Sequence, residues 1–293
     1  MVTVLITGGT GLVGKFLNKK LSSKGFHVRV LTRNPKKENE YSWDIHQNHI
    51  DEKVFKNLDY IIHLAGSGIA NKRWTTKRKQ EIIDSRTKST QLLFEKIATN
   101  KIALQGFISA SAIGYYGAIS SEKIFTESDT PATDFLGNVC QQWEAATLQF
   151  ESLGIPTTIL RIGIVLSKTG GALAKMKMPI ITPIATGKQY MPWIHIEDLT
   201  NLFTKAIEDN NFTGIYNVVA PDQQTNKSFS KLLAQKTRKI YVPIGVPAFL
   251  LKLVFGKMSI LLTTGSRISS AKIKKTGYQF SFKKLEDVLE DLI

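Results

Sequence analysis

Residues 4–14, VLITGGTGLVG, constrain the fold more than any other segment of this 293-residue chain. An apolar run, Val4, Leu5 and Ile6, meets three glycines spaced by three, Gly8, Gly11 and Gly14. A helical pattern follows, with Leu12, Val13, Phe16, Leu17 and Leu21 on one side. Strand, tight turn and helix start, in that order, place free backbone N–H groups and a helix dipole where a pyrophosphate can sit. Glycine is common, so the spacing alone carries little. The strand before it and the helix after it carry the inference. The segment predicts a dinucleotide site whose phosphate-binding turn is Gly8, Gly11, Leu12, Val13 and Gly14.

The second strand selects the dinucleotide. It runs from His27 to Thr32 and ends at Arg33, and no carboxylate occurs between the glycines and Glu38. An NAD site places an acidic residue here to accept from the ribose 2′-OH, whereas a guanidinium pairs with a 2′-phosphate. The sequence therefore favours NADP(H) over NAD. A solvated loop charge is the other reading of Arg33.

Composition narrows the class. A hydrophobic content of 42% suits a globular protein with a sizeable core. The first residues lack the charged region of a signal peptide, and no apolar run is long enough to span a bilayer. The single cysteine, Cys140, excludes an intrachain disulfide and a cysteine-rich metal site, and no metal-ligand spacing occurs. A soluble, cytoplasmic protein is expected. The net charge of +15 concentrates in Lys72, Arg73, Lys77, Arg78, Lys79, Arg86 and Lys88. Without aromatic interleaving or a recognisable module this cluster argues against nucleic acid; it fits a solvated helix face or attraction of an anionic small-molecule substrate.

Strand patterns at 3–7, 27–32, 59–64, 106–111, 157–165 and 215–219 alternate with helical ones at 12–24, 75–99, 138–153 and 197–209. This order predicts an α/β fold, a Rossmann-type doubly wound parallel sheet with a small C-terminal substrate-side region. We expect an NADP-binding domain over 1–239, with substrate-side insertions from about 167, and a small C-terminal domain over 240–293. Val246 to Leu262 reads as a buried or interface helix pair, leaving open an oligomer interface or a substrate lid.

Several further segments together resemble the extended short-chain dehydrogenases. They are Leu64-Ala65-Gly66, Ser109-Ala110-Ser111-Ala112, Arg161-Ile162-Gly163, the Trp193–Leu199 stretch and Tyr216-Asn217-Val218. The stretches Ala70–Trp74 and Ser111–Gly117 are similar to one atypical subgroup, the NAD-dependent epimerase/dehydratase-like proteins with a C-terminal domain of unknown function. The resemblance implies that Leu64, Ala65 and Gly66 line the cofactor, that Asp44 contacts adenine unless it is a loop cap, and that Ser111 polarises a carbonyl.

Catalysis in that family uses a Tyr-x-x-x-Lys pair on one helix, the lysine lowering the tyrosine pKa. Here Cys140 and Glu144 stand in those places. A glutamate cannot act as the ammonium does, but it can accept from ribose hydroxyls, and Cys140 reads as a small buried hydrophobe. Tyr115 and Tyr116 are the candidate proton donors, with simple packing as the other reading. His63 reads as a core histidine, and His195 and Asp198 as a structural turn at a helix start. The resemblance implies an NADP-dependent oxidoreductase or epimerase-like enzyme; a non-catalytic NADP(H)-binding regulator is the alternative.

Overall fold

Alternate side chains of the early strands face opposite ways, and each set meets its own helices. The computed structural model describes all 293 residues. Its main sheet contains β1 (Thr3–Thr7), β2 (His27–Thr32), β3 (Glu40–Asp44), β4 (His49–Ile50), β5 (Tyr60–His63) and β6 (Gly106–Ala112), then strands Thr157–Ile162 and Gly214–Val218. Val4, Ile6, Val30, Ile62 and Ile108 pack on one face with Leu17 and Leu21 of α1 (Leu12–Ser23) and Leu199, Leu202 and Phe203 of helix Ile196–Glu208. Leu5, Leu31, Ile61 and Phe107 pack on the other with Leu92, Leu93 and Ile97 of α2 (Thr76–Thr99). Helices on both faces explain why the strands are continuous apolar runs.

The spatial order begins with strand Gly214–Val218, then Thr157–Ile162, β6, β5, β1, β2, β3 and β4. Every pairing is parallel except that of β3 with β4. From β1 the chain winds outward through β2 and β3, then returns to β5 on the other side. The reversal leaves a crevice at the carboxyl ends of β1 and β5, where ligands of open α/β sheets bind. The α/β doubly wound sheet is as the strand–helix alternation predicts.

The differences are local. β3 and β4 are absent from the sequence expectation, because EYSWD is too polar to stand out as a buried strand. The helix expected at 138–153 is α3 (Phe135–Leu148) plus a 3₁₀ turn, Gln149–Leu153. It starts early because the Asp134 carboxylate accepts from the Gly137 amide at 2.9 Å, an N-cap. The strand expected at 157–165 divides at Gly163, where a Cβ would lie 2.6 Å from the Pro192 carbonyl oxygen; Ile164–Ser167 then pairs with Trp193–His195 instead. In the segment Val246–Leu262 only Met258 and Ser259 are buried, and helix Ala248–Phe255 has no buried residue.

The C-terminal stretch does not form a core of its own. Ile273 and Phe280 join the sheet core, and Leu285, Val288, Leu289 and Leu292 of helix Leu285–Leu292 pack with Phe229 and Leu233 of helix Asn226–Thr237.

Candidate functional site

The glycine turn lies where β1 delivers it. Gly8 has φ +69, and a Cβ there would stand 2.9 Å from the Leu64 carbonyl at the end of β5. A Cβ on Gly14 would lie 2.4 Å from the Gly8 oxygen, so the first turn of α1 can approach only without a side chain. No side chain caps α1, and its first turn carries no acidic residue. The amides of Leu12, Val13 and Gly14 thus open toward the crevice at the positive end of the helix.

His63 braces this corner. The Thr7 hydroxyl accepts from the Leu64 and Ala65 amides, both at 3.2 Å, and stands 2.8 Å from His63 Nδ1. With its lone pairs engaged, Thr7 donates its proton to Nδ1. His63 Nε2–H then faces Ser89 Oγ and Thr90 Oγ1, whose own protons go to α2 carbonyls. Burial, with Arg86 nearby, pushes the His63 pKa down to about 3. It is the core histidine the sequence suggests.

Around the crevice, Arg33 stands exposed just past β2 and makes no ion pair, and Gly66 is exposed at the end of β5. Asp44 accepts from the His46 amide at 2.8 Å, which caps the β3–β4 turn. The basic cluster is not one solvated face: Arg78 is buried against Glu81 and the Gly68 carbonyl, while Lys88 pairs with Asp84.

A polar row crosses the sheet next to the crevice. Ser111 on β6 is the register partner of Arg161, and Arg161 that of Asn217 on strand Gly214–Val218. All three are buried. Glu144 reaches them from α3 and takes two bonds from Arg161, at 2.9 and 2.8 Å, and one from Ser111 Oγ at 2.6 Å. Arg161 also donates to the Tyr116 hydroxyl at 2.9 Å, and Tyr116 donates to Asn217 Oδ1 at 2.7 Å. Glu144 and Tyr116 hold the Arg161 guanidinium firmly protonated against its burial.

This network assigns the candidates different surroundings. Ser111 occupies the expected strand end, but its one proton points at Glu144. Both Glu144 carboxylate oxygens are engaged by protein, which leaves little capacity for ribose hydroxyls. Tyr116 is buried, with its hydroxyl bonded on both sides, and burial pushes its pKa up to about 12. Tyr115 is half-buried, the Arg161 guanidinium carbon sits over its ring 3.3 Å from the centroid, and its hydroxyl has no protein partner. Cys140 is buried beside the Ala112 carbonyl, and burial, then Glu144, pushes its thiol up to about 12. It is inert.

Arg161 and Asn217 are the residues that sequence reasoning misses as site members. The available signal is the one guanidinium in TTILRI and the one amide side chain in GIYNV, each directly before the last residue of its strand. No group of three or more His, Cys, Asp or Glu side chains is placed to hold a metal ion.

Sheet order, glycine turn and crevice define a Rossmann protein of the extended short-chain dehydrogenase type. Residues 4–219 match the NAD-dependent epimerase/dehydratase family, and residues 246–292 match a domain of unknown function, DUF1731. An epimerase family protein of Staphylococcus aureus (strain NCTC 8325) is 35% identical over 302 aligned positions, covering 100% of this chain and 99% of that one. The epimerase family protein YfhF of Bacillus subtilis is likewise 35% identical, over 100% and 98%. The crystal structure of human epimerase family protein SDR39U1 (isoform 2) with NADPH superposes with TM-score 0.88 at 29% identity, covering 99% of each chain. A nucleoside-diphosphate sugar epimerase of Corynebacterium glutamicum gives 0.80 at 28%, over 98% of this chain and 57% of that one. The chain belongs to the NAD-dependent epimerase/dehydratase family and carries its DUF1731 C-terminal region.

Proposed function

We propose that this protein is an NADP(H)-dependent oxidoreductase or epimerase-like enzyme that works without the Tyr-x-x-x-Lys pair, since α3 contains neither a tyrosine nor a lysine. The observation that carries the reading is the uncapped start of α1, built against Leu64 by two glycines that admit no Cβ. Arg33, free of ion pairs at the end of β2, supports NADP(H) over NAD, as does the NADPH held by the human relative.

When bound, NADP(H) gives or takes a hydride. The residues divide the remaining work. The amides of Leu12, Val13 and Gly14 hold the pyrophosphate, Arg33 holds the 2′-phosphate, and Leu64 to Gly66 form the wall of the crevice. Ser111, fixed by Glu144, offers oxygen lone pairs and not a proton. Tyr115 is the proton donor, because its hydroxyl is unengaged whereas that of Tyr116 is committed to Asn217. The substrate is a small carbonyl or hydroxyl compound.

A second reading is favoured by one observation, the commitment of the Ser111 proton to Glu144. It makes the protein a binder of NADP(H) that does not turn over.

Calorimetric titration tests the cofactor assignment. Wild type should bind NADPH more tightly than NADH. Arg33→Ala should weaken NADPH about tenfold or more, the value of a charge-assisted bond, and leave NADH unchanged. Equal binding of the two in wild type overturns the NADP(H) preference. NADPH oxidation with a carbonyl compound that disappears in Tyr115→Phe, with binding retained, decides for the enzyme.

A further inference from the structure

Helix Ala248–Phe255 carries apolar side chains on both sides. Phe255 leans on the body of the protein near Trp74 and Met258. Phe249, Leu250, Leu253 and Val254, at i, i+1, i+4 and i+5, share the opposite face and are 69, 42, 74 and 58% exposed. Ile244, just before the helix, is 77% exposed. Soluble monomers seldom leave so many large apolar side chains together in water.

This face is not on a loose tail. The Ala185 amide donates to the Val246 carbonyl and the Val246 amide to the Pro183 carbonyl, both at 2.9 Å. At the other end the Arg73 guanidinium donates to the carbonyls of Leu253 and Val254, a cation on a helix C-terminus.

The surroundings are cationic. Lys252 and Lys257 are exposed, and Arg73 brings the segment with exposed Lys72 and Lys77 alongside. Glu81, nearby in sequence, is paired with Arg78. No carboxylate occurs anywhere between Asp222 and Glu286. Pairing with a second copy through this helix would oppose two such rims on chains of net charge +15 each. An anionic lipid surface satisfies both features: acyl chains receive the apolar face while headgroups meet the lysines. No helix is long and apolar enough to cross a membrane, so the attachment is peripheral.

We propose that helix Ala248–Phe255 docks the protein on anionic bilayers. The test is sedimentation of the full chain with phosphatidylglycerol-containing vesicles and with pure phosphatidylcholine vesicles. Wild type should pellet with the first, less as salt rises, and remain in solution with the second. Phe249→Ser with Leu253→Ser should lower partitioning at least about tenfold, from the lost burial. Lys252→Glu should lower it about fivefold or more, from about 1 kcal/mol per basic residue near the surface. The thermal melts of both variants should match wild type, since the residues are exposed. Absence of pelleting overturns the proposal, as does pelleting that Phe249→Ser with Leu253→Ser leaves intact. A dimer in solution that the same double variant dissociates assigns the face to a second copy, and equally overturns it.

Discussion

Glu144 and Arg161 show how little a single position says without its partners. In sequence, Glu144 is a carboxylate where the resemblance to the extended short-chain dehydrogenases implies a lysine. In the structure it neutralises the one arginine buried in the sheet, and Arg161 in turn orients Tyr115, Tyr116 and, through Glu144, Ser111. Removing one member of a buried pair leaves an uncompensated charge and typically costs about 3–5 kcal/mol. Glu144→Gln should therefore lower the urea midpoint strongly. Glu144→Gln with Arg161→Met should recover much of the loss, because the stranded charge is gone. A double variant no more stable than Glu144→Gln would show that the pair is not the source of the cost. His63 adds a pH dependence with a definite sign. The folded protein keeps it neutral down to about pH 3, whereas an unfolded histidine takes a proton near 6.5. Below about 6.5 the unfolded state binds the extra proton, so stability is full above that pH and falls as pH drops toward 3. The slope reaches at most about 1.4 kcal/mol per pH unit. His195, also held low by burial, acts in the same direction. Urea unfolding at about pH 7 and pH 5 should show the decline, and His63→Gln should reduce it.

At the scale of elements, what the sequence made legible was local. The turn between β1 and α1 is specified by residues within a few positions of one another, so spacing and residue type suffice. The same holds for β5, whose run Tyr60-Ile61-Ile62 is uninterrupted, and for β6, where Phe107 and Ile108 lead into small serines and alanines. The polar row is different, because Ser111, Arg161 and Asn217 meet only through register between strands about 50 residues apart. Nothing local to any of them announces the other two. The antiparallel β3–β4 hairpin is illegible in sequence for a related reason: it is an edge element, half exposed, whose residues need not be apolar. The glycine turn gives a prediction of its own. Gly14→Ala forces a Cβ to within 2.4 Å of the Gly8 oxygen, so α1 must move away from the turn. NADPH and NADH binding should both weaken about a hundredfold, unlike Arg33→Ala, which should affect NADPH alone. Retention of binding in Gly14→Ala would mean that the cofactor does not rest on this helix start.

Across the whole molecule, the match of residues 246–292 to a separate family suggests a module, but the packing ties this region into the rest. Asp198, fully buried at the start of helix Ile196–Glu208, accepts from the Tyr278 hydroxyl at 2.7 Å and from the Ser281 and Phe282 amides at 2.8 and 3.0 Å. Lys236 pairs with Glu286 and Glu290, drawing helix Leu285–Leu292 against helix Asn226–Thr237. Ile273, Phe280, Leu285, Val288, Leu289 and Leu292 all enter cores shared with residues before 240. Each fully buried side chain of this kind is worth about 1.5–3 kcal/mol, and a whole domain is stable by only about 5–15 kcal/mol. A chain ending at residue 245 therefore loses more burial than its margin and leaves the Asp198 carboxylate buried without its donors. It should lack a cooperative thermal transition and fail to bind NADPH. Asp198→Asn in the full chain should lower the melting temperature while the fold persists. A truncated chain that melts cooperatively and still binds NADPH would show that the sheet and its crevice stand without the C-terminal region, whose packing would then serve the substrate side alone.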